Sequence, residues 1–103
     1  MESERREVSF REKAAAFFSQ HLGNPSVIEF EPGLVYRWKF ERANGPGHHI
    51  AVYVTLDSPE NPDVAHFMLS DPGREGSDSV VSIVIRSAEE FEPALRRIRA
   101  YIA

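Results

Sequence analysis

The stretch Leu34–Leu56 constrains the fold more than any other, because it holds two segments of strict two-residue alternation around one turn. Leu34, Tyr36, Trp38 and Phe40 alternate with Val35, Arg37, Lys39 and Glu41, the period of a strand that buries one face. Ile50, Val52, Val54 and Leu56 alternate in the same way with His49, Ala51, Tyr53 and Thr55, and β-branched and aromatic residues suit a pleated surface. Between them Ala43-Asn44-Gly45-Pro46-Gly47 has the length and composition of a hairpin loop. Centred there, the hairpin pairs Arg42 with His48, Phe40 with Ile50, Trp38 with Val52, Tyr36 with Val54 and Leu34 with Leu56. A slip of one residue would send Trp38 to the polar face, so the hydrophobic pattern holds the parity. On that polar face Arg37 meets Tyr53, a cation–π pair of modest structural value.

The flanks supply the remaining elements. Ser9-Phe10-Arg11-Glu12 is a capping box. Phe10, Ala14, Phe17, Phe18 and His21 or Leu22 then form one apolar stripe, stopped by Gly23 before Asn24-Pro25, which predicts a helix over Phe10–Leu22. Ser26–Glu31 reads as a short strand, and a three-residue turn through Pro32-Gly33 is expected to place Ile28 and Phe30 on the face of Tyr36 and Trp38. Val64–Leu69 and the nearly all β-branched Val80–Ile85 are the last two strands, with Val81, Ile83 and Ile85 in the core. Ser70–Ser79 is rich in turn formers and is expected to be the most mobile loop. Ser87-Ala88-Glu89-Glu90 looks like a second capping box, followed by Ala88, Phe91, Leu95, Ile98 and Ile102 at helical spacing. Pro93 interrupts that pattern, so the segment is expected as an opening turn, a bend, and a helix running from Pro93.

The expected fold is therefore α+β: one domain over residues 1–103 with Met1–Glu7 frayed, built as helix, five-stranded antiparallel meander, helix. Both helices lie on one sheet face. At 103 residues, 42% hydrophobic and 27% charged, the chain can bury a single core. Its net charge of −4 and interleaved cations exclude non-specific nucleic-acid binding, and Glu89, Glu90 and Glu92 offset Arg96, Arg97 and Arg99 on the last element. No apolar run reaches the ~20 residues of a membrane span, and Met1–Glu7 is charged where a secretory signal needs an apolar stretch, so a cytoplasmic location is expected.

No residue pattern points to catalysis, a cofactor or a metal. The chain has no cysteine, which removes thiol chemistry and thiolate metal sites. His48 and His49 are adjacent and would point to opposite faces of a strand; His66 is expected near Tyr53 or Val54, over ten ångströms away at ~3.3 Å per residue. Asp71, Glu75 and Asp78 lack the full calcium-loop pattern, and Glu29 and Glu31 share a solvated strand face. The face left open by the helices is the informative feature: Val35, Arg37, Tyr53, Met68, Val80 and Val84 make it less polar than a wholly solvated sheet.

These six residues form the candidate interface of a non-catalytic interaction domain. A homodimer is the simplest partner arrangement, and another protein is the alternative. A second reading is a small-molecule binder or small enzyme with a pocket between sheet and helices, near Trp38 and the Ser70–Ser79 loop. In size, acidity and lack of cysteine the chain also resembles secretion-type binding chaperones, which are commonly dimeric. Those proteins interrupt their sheet with a middle helix, which Asp57–Asp63 is too short to supply, so no residue role is carried over from them.

Overall fold

The computed structural model describes residues 9–30, 33–43, 45–57 and 63–103. The expectations for Met1–Glu7, for Glu31 and for most of the Asp57–Asp63 loop fall outside them. Helix α1 (Phe10–Leu22) is followed by strands β1 (Ser26–Phe30), β2 (Gly33–Ala43), β3 (His49–Leu56), β4 (Ala65–Ser70) and β5 (Val80–Ile85), and then by helix α2 (Phe91–Ile102). The sheet is an antiparallel meander in the order β1-β2-β3-β4-β5, and the class is α+β.

α1 begins where its capping box places it. The Glu12 N–H donates to Ser9 Oγ and the Ser9 N–H donates to Glu12 Oε1, both at 3.1 Å. At the other end Gly23 takes φ 99°, open to glycine, and its N–H donates to the Ser19 carbonyl at 3.0 Å. That cap also does something the sequence did not announce: the Gly23 carbonyl accepts from Trp38 Nε1 at 2.7 Å, fastening the end of the helix to the middle of β2. Trp38 is 2% exposed, and its one polar atom is satisfied there.

The β2–β3 hairpin keeps the expected faces but not the expected partners. Tyr36 pairs with Leu56, Trp38 with Val54, Phe40 with Val52 and Arg42 with Ile50. The loop still has five residues, yet it runs from 44 to 48, one place later than expected, and every partner moves by two. The cause is the turn itself. The His48 N–H donates to the Gly45 carbonyl at 3.1 Å, Pro46 occupies the second position and Gly47, at φ 74°, the third, so the reversal is centred on Pro46-Gly47. Arg37 now faces Thr55, and its guanidinium lies over the Tyr53 ring diagonally, 5.2 Å from the centroid.

β1 departs further. Phe30 pairs with Gly33 and Ile28 with Val35, so two residues rather than three link the strands, and Ile28 lies on the face opposite to Tyr36 and Trp38. Val27 takes the Tyr36 side instead. Both are exposed, Val27 at 54% and Ile28 at 39%, so no core contact enforces either parity. At the other junction the ladder between β3 and β4 continues to Asp57, whose N–H donates to the His66 carbonyl at 3.0 Å; His66 therefore lies beside Asp57, not beside Tyr53 or Val54.

The second capping box does not form. Ser87 makes no side-chain cap, Ala88–Glu90 is a 3-10 turn, and the Glu90 carboxylate accepts from the Arg86 N–H at 2.7 Å instead. Pro93 explains the late start. In a helix beginning at Phe91 it lies in the first turn, where a missing N–H costs nothing. Ala88 is consequently exposed, while Ala94 and Tyr101 join Phe91, Leu95 and Ile98 in the core.

Both helices pack on the sheet face that carries Trp38, Val52, Val54, Leu56, Phe67, Leu69, Ile83 and Ile85. Phe91 joins them to one another: its ring lies 5.5 Å from Phe10, 5.1 Å from Phe17 and 5.9 Å from Phe18, and Phe18 in turn meets Phe67 of β4 at 4.7 Å. Replacing Trp38 with Phe removes the bond to Gly23 and part of the ring volume, and should cost about 1–3 kcal/mol. Urea denaturation followed by circular dichroism measures this; an unchanged midpoint would remove the helix-end anchor from the account.

Candidate interaction surface and the cleft beside it

The face away from the helices holds all six candidate interface residues, but not as one patch. Val35 is only 7% exposed and offers almost no surface. Arg37 and Tyr53 occupy the middle of the face, engaged with each other. Met68, Val80 and Val84 gather at the β4–β5 end: Met68 pairs with Ser82, whose hydroxyl lies 3.9 Å from the Met68 sulfur, and Val80 and Val84 flank Ser82 on the same strand face. Val80 is 49% exposed and Val84 43%. Sequence reasoning missed Ile28, which the changed register of β1 brings to the far end of this face.

β5 is also a sheet edge. Its sequence, Val80-Val81-Ser82-Ile83-Val84-Ile85, contains no charge, proline or glycine, the usual guards of an edge strand. The opposite edge, β1, carries Glu29.

The histidines do not converge. His48 is in the turn, His49 pairs across from Ala43, His21 stacks on Phe17 at 4.6 Å, and His66 Nδ1 is 3.3 Å from Asp57 Oδ2. Among the described residues no group of three His, Cys, Asp or Glu could hold a metal ion. Among the described residues no helix is long and apolar enough to cross a membrane.

On the helix side, beside β5, a cleft of about 320 Å³ is lined by Leu69, Val81 and Ile83 from the sheet, Arg97, Ala100 and Tyr101 from α2, and Arg74. It adjoins the Ser70–Ser79 segment through Arg74, whereas Trp38 is sealed in the core and does not line it.

The Ser70–Ser79 segment is tied down rather than loose. Asp71 is fully buried, and its carboxylate accepts from Arg42 Nη2 at 2.6 Å, from Arg74 Nε at 3.1 Å and from the Gly73 N–H at 2.9 Å. Arg74 passes on to α2, donating to the Tyr101 carbonyl at 2.7 Å with its guanidinium 4.4 Å from the Tyr101 ring centroid. The Tyr101 hydroxyl returns to the Ser79 carbonyl at 3.1 Å. Gly73 lies close under Ile50 and Arg42: a Cβ there would press on the end of the Ile50 side chain and stand 2.9 Å from Arg42 Nη2, so either side chain would have to shift. From sequence Asp71 stood out only beside Glu75 and Asp78, in a set that lacks the calcium-loop pattern. Two signals pointed elsewhere: Arg42 shares the buried parity of Trp38, and Asp71-Pro72-Gly73 has the form of an Asp whose side chain caps the amide two residues on.

Burial alone would raise the Asp71 pKa, but the Gly73 N–H and the Arg42 and Arg74 guanidinium groups outweigh it and hold it below the ordinary 3.8. A carboxyl whose folded-state pKa is depressed contributes stability above its unfolded value, and loses it as pH falls through the folded value. Asp71→Asn should therefore destabilise the fold by about 2–4 kcal/mol at pH 7, the cost moderated by the partial exposure of both arginines. The gap between variant and parent should narrow as pH drops below about 4. Thermal unfolding of both proteins from pH 7 to pH 2 checks this; a gap independent of pH would assign the loss to packing.

No protein-family model, no curated protein and no solved structure matches the chain.

Proposed function

We propose that this chain is a non-catalytic interaction domain of the cytoplasm that self-associates through the β4–β5 end of its open sheet face, most simply as a homodimer. The observation that carries the reading is the pair Val80 and Val84, each more than two-fifths exposed, on either side of Ser82 and next to Met68. Apolar surface collected at one end of a sheet, with Arg37, Lys39 and Glu41 towards the other, is how association surfaces are commonly built. Val35, Arg37 and Tyr53 contribute less, the first because it is covered and the other two because they already engage each other.

A second reading has one observation in its favour. The cleft beside Arg74 and Arg97 has an apolar floor and is at the small end of ligand-pocket sizes, so a small anionic amphiphile is the chemistry it would take. Native mass spectrometry separates the two, because one spectrum reports subunit number and any retained mass. The interaction reading expects a dimer without excess mass. Val84→Asp should weaken that dimer at least ~10-fold while the monomer keeps its circular dichroism, since a desolvated unpaired carboxylate costs more than the ~1.4 kcal/mol this represents. A monomer carrying a reproducible bound mass would overturn it in favour of the cleft.

A further inference from the structure

We infer that β5 is a self-pairing edge: two copies join β5 to β5 in antiparallel register about a two-fold axis through Ser82, making one ten-stranded sheet. This rests on the self-association proposed above and names its geometry.

The hydrogen-bonding direction of each β5 residue can be read from its register. The Asp71 N–H donates to the Ser79 carbonyl at 2.9 Å, and Asp71 and Ser79 lie on the same register as the β4–β5 pairs. Hydrogen-bonded pairs recur every second residue in an antiparallel ladder, so Val81, Ile83 and Ile85 turn their amides and carbonyls towards β4. Val80, Ser82 and Val84 then turn theirs outward, and among the described residues no strand pairs with that side. One residue further on, the Arg86 N–H is already taken by the Glu90 carboxylate, which closes this edge at its C-terminal end.

The open groups are thus symmetric about Ser82, and this selects a second copy of the strand as the occupant. A two-fold axis at Ser82 places Val80 against the other copy's Val84 and Ser82 against Ser82. All three outward pairs exchange both of their hydrogen bonds, and none calls on Arg86. Centring one residue later would need the Arg86 N–H. Side chains match on both faces: Val80 meets Val84 on the open face, Val81 meets Ile83 on the helix face, and no charges of like sign face each other. Along the edge the helix side is open, with a cleft of about 210 Å³ between β5 and Pro93, Ala94 and Arg97 of α2. A symmetric contact of this kind is isologous and closes at two copies.

Residue-resolved amide hydrogen exchange on the full chain tests this, read at high and low protein concentration. At a chain concentration about 100 times the dimer Kd roughly 7% of the chains remain monomeric, so the amides of Val80, Ser82 and Val84 should exchange about 15-fold more slowly than in dilute monomer. Those of Val81 and Ile83, bonded to β4, should be protected at both concentrations. Ser82→Pro removes only an outward N–H, so it should leave the β4–β5 amides protected and give a monomer at every concentration tested. A dimer in which Val80, Ser82 and Val84 stay unprotected overturns edge pairing and leaves association through the open face standing. A chain that is monomeric throughout overturns both.

Discussion

A carboxylate with no exposed surface, held between two arginines, is the constraint around which one end of this molecule is arranged. Asp71 sits where β4 ends, Arg42 comes from the far end of β2, and Arg74 continues to the last turn of α2. An ion at that depth is tolerated only with its lone pairs occupied, and three donors occupy them. Its satisfaction therefore ties three parts together: the end of β2, the segment before β5 and the last turn of α2. Hydrophobic burial supplies most of the driving force for folding, but it is non-directional, and this cluster is directional.

The other end is ordered by aromatic rings. Trp38 receives the end of α1 through its indole nitrogen, and Phe91 receives three rings of α1 on the first turn of α2. The two helices thus reach their places by different means: α1 through ring packing and hydrogen bonds at both ends, Arg11 Nε to the Asp57 carbonyl and Trp38 Nε1 to the Gly23 carbonyl, α2 through ring packing at its start and the arginine–tyrosine contacts at its end.

How much of this was legible in the sequence follows from what each pattern encodes. A period of two carries parity faithfully, so Trp38, Val52, Val54 and Leu56 were placed on the core face although the hairpin partners were displaced by two. Absolute register depends on where a turn is centred, and Pro46-Gly47 set that by backbone conformation rather than hydrophobicity. For β1 parity itself was unreadable, because Val27 and Ile28 are both apolar and neither is buried. Ser87 resembled a cap but lost its role to the proline six residues on. The candidate surface was legible in part: Val80 and Val84 needed only strand alternation, while the covering of Val35 required coordinates. Asp71 was the largest omission, since a buried acid is recognisable only with its two cations in place.

The exposure of β1 bears on how the molecule breathes. This strand pairs with β2 on one side only, and its Val27 and Ile28 are about half exposed. Because Trp38 holds the Gly23 carbonyl just upstream of it, and Phe67 and Phe91 hold the helix, α1 remains docked when β1 lets go. Opening at this edge therefore leaves α1 and the Trp38 side of the core in place, on the far side of the sheet from β5.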